Sequence, residues 1–401
     1  LPKSFSYTII SQFKDKMNDG LTVPDAADGM GCFKGKDNNI VLVRNHELGH
    51  MPATQNFFKN NPYGKGFSKY INKNKNIFYD IKRNKTECFG GTTTIEYNLK
   101  TKKIVNQYLS LSGTLVNCSG GQTPWNTWIS CEETVKRSSG KVTKNHGYNF
   151  EVIPYQHTKL NNAIPLKAMG RFRHEAVAID PNTSIAYQTE DRDDGLIYQF
   201  IPNVKEKYWK GGNLKTLIVK NNNANDTRNW TEQNFIKNKL YNIDWISLDD
   251  VDNPKDDMRY KAAKKGAAFF ARPEGMWYDN NYVYFTCTSG GKKKLGQIWK
   301  INLKYQTLEL IFESHNSDAM RACDNITIAP WGDVIVCEDG RGRDRIMGIK
   351  KNGETYVIAE NILNSSEFAG VNFSPDGNIL FVNIYSPTMT IAITGPWKGV
   401  M

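Results

Sequence analysis

The sequence predicts an all-β fold, a six-bladed β-propeller with added loops or short helices over its binding face, built as one domain across residues 1–401. Three observations predict it. One strand–turn–strand pattern recurs six times, a second strand pair follows most copies, and no amphipathic helix separates them.

Each unit opens on a small or acidic residue and runs into a short alternating apolar strand. It turns through Asp, Pro, Asn and Gly, then returns on a second apolar strand ending in an acid, Thr or Asn. The first copy, residues 30–47, turns at Lys36-Asp37-Asn38-Asn39, and the second, residues 114–133, has a longer link through Gly120-Gly121-Gln122-Thr123-Pro124. Both are weaker matches that keep the second strand and its terminal acid. The third runs from Glu175 to Glu190 and turns at Asp180-Pro181-Asn182; the fourth, residues 274–288, turns at Asp279-Asn280-Asn281. The fifth is the clearest, with Asp324-Asn325-Ile326-Thr327-Ile328, a turn at Pro330-Trp331-Gly332-Asp333, and Val334-Ile335-Val336-Cys337-Glu338. The sixth, residues 370–383, turns at Pro375-Asp376-Gly377-Asn378.

A further pair, such as residues 297–302 with 308–312, or 347–350 with 355–359 around Asn352-Gly353, brings each unit to about four strands. Four strands every ~45 to 50 residues is the propeller pattern, with a β-sandwich as the alternative. In a propeller the innermost strands line a central channel, so equivalent strand ends converge on the axis. Two polar insertions, residues 49–81 and 204–266, read as lids or rims of a binding face. A strand near residues 4–10 is placed to close the last blade.

Hydrophobic residues at 39% and aromatics at 12% suffice for a sizeable core, and no window reaches the roughly 18 uninterrupted apolar residues of a membrane span. The net charge of +11 is spread through Asn-rich stretches such as residues 71–77 and 220–234 and forms no single patch. That dispersal argues against nucleic acid and for a basic surface that attracts small anions. Seven Cys, scattered singly without a Cys-x-x-Cys pair, argue against a disulfide framework and a structural zinc site, and leave at least one free or metal-bound. The chain begins Leu1-Pro2-Lys3 without an initiator Met, and the expectation is that a preceding segment was removed.

The acids and soft ligands at strand ends are, in order, Glu47, Cys118, Glu132, Glu133, Glu175, Glu190, Asp191, Glu274, Asp324, Glu338 and Asp339. Any one of them could simply end a strand at the surface. Converging carboxylates without cations would repel one another, so their recurrence at equivalent positions points to bound metal. Carboxylates favour hard ions such as Ca²⁺, and one thiolate among them hints at a transition metal. Arg272 stands two residues before Glu274, in Phe270-Ala271-Arg272-Pro273-Glu274-Gly275. Its fork fits two anionic oxygens of a phosphate or carboxylate; the structural alternative is a salt bridge to a neighbouring acid.

His46-Glu47-Leu48-Gly49-His50 matches the H-E-x-x-H pattern of zinc proteases. It follows the β-rich Ile40-Val41-Leu42-Val43, contains Gly49 and runs into Met51-Pro52, so the helix that motif needs is not expected. Ser289-Gly290-Gly291-Lys292 and Gly90-Gly91-Thr92 lack phosphate-loop spacing and read as turns.

At these residues the chain resembles the PhoX alkaline phosphatase family, from about Phe5 to Trp397. The resemblance is carried by Arg44-Asn45-His46-Glu47, by Asn117-Cys118-Ser119-Gly120-Gly121-Gln122-Thr123-Pro124-Trp125 through Cys131-Glu132-Glu133, and by Arg173-His174-Glu175, Arg272-Pro273-Glu274-Gly275 and Cys323-Asp324-Asn325. It implies a six-bladed propeller, hydrolysis of phosphate monoesters at a cluster of Fe³⁺ and Ca²⁺ on the axis, and export to the periplasm or beyond, commonly by the twin-arginine route. It implies that Cys118 binds iron, that Glu47, Glu175 and Glu274 are further ligands of the cluster, that Glu133 and Asp324 bind calcium, and that Arg272 grips the substrate phosphate. Glu338 is added as a metal ligand from its repeat position alone, and Glu190 and Asp191 are possible outer ligands. The expected partners are small phosphorylated substrates, with no nucleic acid and no membrane, and the expected state is a monomer. Two other functions stay open: a calcium-dependent propeller hydrolase of phosphodiesters, phosphotriesters or lactones, and a non-catalytic propeller that binds a protein or glycan.

Overall fold

The computed structural model describes residues 1–49, 62–81, 88–140, 142–155, 160–220 and 225–397. The fold is all-β: short antiparallel strands of β-branched and aromatic residues make up nearly all the regular structure. Among the described residues the α-helices are Phe67–Asn74 and Met258–Ala263, one in each polar insertion. Two compact units are present, one of residues 3–122, 126–165 and 369–401, the other chiefly of residues 166–368.

The first unit holds three antiparallel sheets. Ala27–Lys34, Asn39–His46, Gly90–Asn98 and Lys103–Thr114 form one, and Asn117–Gln122, Trp128–Glu132 and Asn149–Val152 form another. In the third, Ser6–Gln12 pairs with Met389–Thr394, Ser6 opposite Thr394, and so completes with its first strand the sheet that the last three strands of the chain begin. The N-terminal strand therefore adds to the last repeat as expected. Gly90-Gly91-Thr92, expected as a turn, instead opens a strand, with Gly91 opposite His46.

The second unit holds a four-stranded sheet, Cys323–Ile328, Val334–Glu338, Arg345–Ile349 and Thr355–Glu360, and a nine-stranded one. The nine strands are two runs of four, His174–Ile179 to Gly212–Val219 and Pro273–Asp279 to Thr307–Glu313, joined by Leu240–Ser247. Leu240–Ser247 pairs with Gly212–Val219 along one edge, Lys215 opposite Ser247, and with Thr307–Glu313 along the other, Leu240 opposite Glu309. Part of the insertion expected as lid or rim is thus a strand that covers two open sheet edges, which removes their unpaired backbone groups from water.

Among the described strand registers, five repeats share one irregularity. Where the first strand begins, two of its residues oppose one on the second strand. The bulged pairs are Asp28-Gly29, Cys118-Ser119, Glu175-Ala176, Glu274-Gly275 and Asp324-Asn325. A bulge bends the strand and re-aims a side chain that regular alternation would have pointed elsewhere.

Candidate metal centre

The leading residue of each bulge is an acid or a thiol, and four of the five are the sequence-predicted ligands Cys118, Glu175, Glu274 and Asp324. The fifth, Asp28, escapes sequence reasoning because its repeat reads most clearly from Met30 onward; the Asp-Gly two residues earlier was the available signal. All five are buried.

Polar side chains near the ends of the second strands hold these bulges in place. Thr189 Oγ1 donates to Glu274 O at 2.6 Å, and Thr286 Oγ1 donates to Asp324 O at 2.6 Å. In the other unit Asn45 Nδ2 donates to Cys118 O at 3.1 Å and Asn383 Nδ2 to Asp28 O at 2.6 Å. Each bond reaches from the second strand of one repeat to the backbone of a ligand residue in the next. Gly275 completes the fit: a Cβ there would stand 2.6 Å from Asp324 O and 2.8 Å from Asn325 Cα, so only glycine lets these two bulges lie backbone to backbone.

That close approach brings acids together. One carboxylate oxygen from each of Glu175, Glu274 and Asp324 lies within 4.8 Å of the others. Burial, and next the charge of Asp339, push the Asp324 carboxyl up to about 7. Arg272, at a left-handed φ of 50°, stands beside the trio. Its Nε and Nη2 donate to Asp191 at 2.9 and 3.1 Å, and Nη2 also reaches Glu274 Oε1 at 2.5 Å. Glu274 above all, with Asp191, raises its pKa further, so the guanidinium is permanently charged. The expected alternative of a salt bridge is therefore present, yet Nη1 has no protein acceptor among the described residues and a third of the side chain is exposed. The two acids orient the fork through Nε and Nη2.

In the other unit Cys118 Sγ and a Glu133 oxygen lie within 4.8 Å of each other, both buried. Glu47 follows its second strand as Glu133, Asp191 and Asp339 follow theirs. It is half-buried, accepts the Tyr385 hydroxyl at 2.6 Å on Oε2, and is in no three-ligand group among the described residues.

The residue one step earlier behaves differently. Glu132, Glu190 and Glu338 each end a second strand and, by strand alternation, face the opposite way to their neighbours. Their oxygens are engaged by the fold. Glu190 accepts the Tyr198 hydroxyl at 2.8 Å, and Glu338 accepts Arg345 Nε and Nη2 at 2.8 and 2.7 Å and the Arg321 N–H at 2.8 Å. The structure does not bring Glu338 to the trio. The residue in the slot of Glu133 and Asp191 is Asp339.

His46 ends the strand Asn39–His46, with Nδ1 2.9 Å from Asp25 O and Nε2 2.8 Å from Thr93 Oγ1. Burial, then the Arg44 charge, hold it well below the usual imidazole range, so it is a neutral core residue; His50 lies outside the described residues. The seven cysteines are all buried, with no disulfide among them. Among the described residues no helix is long and apolar enough to cross a membrane.

A search of curated proteins finds no match. Among solved structures, virginiamycin B lyase from Staphylococcus aureus is similar over 97% of this chain and 99% of its own, at 11% identity and a TM-score of 0.46. A gluconolactonase from Xanthomonas campestris is similar over 97% and 98%, at 8% identity and a TM-score of 0.48. Likenesses this distant carry no argument about activity. The family model described as alkaline phosphatase PhoX matches residues 1–388, nearly the whole length, and the chain therefore belongs to the PhoX alkaline phosphatase family.

Proposed function

We propose that this chain is a metal-dependent phosphatase that hydrolyses phosphate monoesters, with Fe³⁺ and Ca²⁺ as its ions and a six-bladed propeller as its scaffold. The observation that carries the reading is the buried trio Glu175, Glu274 and Asp324, three carboxylates within 4.8 Å of one another beside a single arginine. Six repeated strand groups, five with the same bulge, support the propeller.

The donor sets fit the ions. Glu175, Glu274 and Asp324 offer hard oxygens suited to Ca²⁺, and Cys118 with Glu133 offers the thiolate–carboxylate mixture that suits iron. Bound there, the ions supply Lewis-acid charge that offsets the phosphate oxygens and the leaving alkoxide. The chain's own residues do the rest. Asp191 and Glu274 orient the Arg272 guanidinium, and its free edge binds and positions a phosphate oxygen, gaining strength as charge develops in the transition state. Burial of the carboxylates excludes water and strengthens each electrostatic contact.

The substrates of this reading are small phosphorylated molecules, its state a monomer and its location periplasmic or secreted. Nucleic acid and membrane have no part in it.

The test is elemental analysis together with p-nitrophenyl phosphate hydrolysis, on wild type and Cys118→Ala. Iron and calcium in the wild type, with iron and turnover both lost in the variant, is the expected result. An active protein without metal sinks the reading, and faster turnover of the bis ester or a lactone moves the substrate class.

A further inference from the structure

A second group of ligand atoms lies in the first unit, in residues the phosphatase reading does not use. His146 Nε2 is 3.7 Å from Cys88 Sγ and 3.3 Å from Asp80 Oδ2, and one atom from each of the three lies within 4.8 Å of the others. All three side chains are buried. A tetrahedral ion with bonds of ~2.3 Å to sulfur and ~2.0–2.2 Å to nitrogen and oxygen holds its ligand atoms about 3.3–3.6 Å apart. The His146–Asp80 separation falls in that range and the His146–Cys88 separation lies 0.1 Å beyond it.

The surroundings fix His146 and Asp80. His146 Nδ1 is 2.6 Å from Glu132 Oε1, and Glu132 is itself pinned by the N–H groups of Leu115 at 2.9 Å, Gly147 at 2.8 Å and Tyr148 at 3.2 Å. A fully satisfied carboxylate on the far ring nitrogen sets the tautomer and aims Nε2 at the group, as behind metal-bound histidines generally. Asp80 accepts the Thr143 N–H at 2.8 Å, the Lys144 N–H at 2.9 Å and the Thr143 hydroxyl. The Tyr79 ring closes one side, edge-on to His146 at 5.1 Å between centroids.

We infer that Asp80, Cys88 and His146 form a zinc site, with Glu132 as its positioning residue. Thiolate, imidazole and carboxylate together select a borderline-soft divalent ion over calcium. Binding exchanges the Cys88 thiol proton and the Nε2 proton of His146 for the ion, while Nδ1 keeps the proton it donates to Glu132. The site ties Asp80 and Cys88 to His146, far apart in the sequence, so its role is to hold the first unit together.

The competing account is a metal-free core in which His146 is ion-paired to both Asp80 and Glu132. Zinc titration of the chelated full-length protein separates the two, performed in a Cys118→Ala background so that the other thiol cannot contribute. One equivalent of Zn²⁺ bound, a raised unfolding midpoint, and a thiolate-to-metal absorption band when Co²⁺ replaces zinc are expected. Cys88→Ala abolishes all three, and Glu132→Gln, which keeps every ligand and the shape of the core, weakens zinc about 10–100-fold. Zinc affinity unchanged in either variant, or no zinc bound before mutation, overturns the site. These readouts do not depend on phosphatase turnover, so this site and the phosphatase reading can fail separately.

Discussion

Two buried acidic regions of the second unit have opposite characters. At Glu338 one carboxylate meets a bidentate arginine and a backbone N–H, and both of its oxygens are engaged. At Glu175, Glu274 and Asp324 three carboxylates crowd within 4.8 Å, and Arg272, which pairs with Glu274, also pairs with Asp191. The first region is finished by the fold. The second leaves negative charge in excess, which a proton on Asp324 or an external cation offsets. In this unit Glu338 arrives with its donors, whereas Glu175, Glu274 and Asp324 arrive with one another.

The largest effects should come from removing one charge in each region. Glu274→Gln should cut kcat/KM for p-nitrophenyl phosphate on the order of 100–1000-fold and lower bound calcium, since Lewis-acid stabilisation is worth several kcal/mol. In chelated protein the same change should leave the unfolding midpoint level or higher, because it relieves repulsion. Glu338→Gln should do the reverse, costing about 3 kcal/mol by stranding Arg345 while metal content stays at the wild-type value. Equal stability losses in the two variants, by denaturant titration, would break the comparison.

A smaller effect follows from the Asp324 carboxyl, raised to about 7 by burial and then by Asp339. Its folded-state pKa lies above its unfolded value, so between about pH 4 and 7 the folded protein holds a proton that the unfolded chain has lost. The native state without metal must therefore lose stability as pH rises through that window. Chelated wild type should show the fall relative to Asp324→Asn, and saturating Ca²⁺ should erase the difference. A gap that instead widens with calcium would place the ion elsewhere.

Much of the frame is legible in the sequence because strands and turns advertise themselves locally. Asp180-Pro181-Asn182 and Pro375-Asp376-Gly377-Asn378 both sit where the chain turns between paired strands, and Glu190 ends the strand after the first of them. What hides is phase. A bulge adds one residue to one strand, so counting back from the turn loses the true alternation, and Asp28 drops out. Leu240–Ser247 hides for another reason: its pairing with Thr307–Glu313 spans 65 to 69 residues, and an Asn- and Lys-rich neighbourhood masks a modest apolar pattern. The zinc group hides because Asp80, Cys88 and His146 share no spacing motif at all and meet only through folding.

The smallest effect tests whether the bulges are held in place or merely tolerated. Thr286 Oγ1 gives its hydrogen bond to the backbone oxygen of Asp324, and Thr216 Oγ1 gives a comparable buried bond, at 3.0 Å, to Ile197 O in the middle of a sheet. Valine at either position keeps the shape and deletes the donor, and each should cost about 1 kcal/mol of stability. Only Thr286→Val should also move a ligand, and a small misplacement of a reacting centre is expensive, so turnover should fall roughly tenfold there and stay at wild type in Thr216→Val. If both variants lose the same stability and neither loses turnover, the hydrogen bonds that link one sheet to the next bulge serve the fold alone, and the position of Asp324 is set by the steric fit against Gly275.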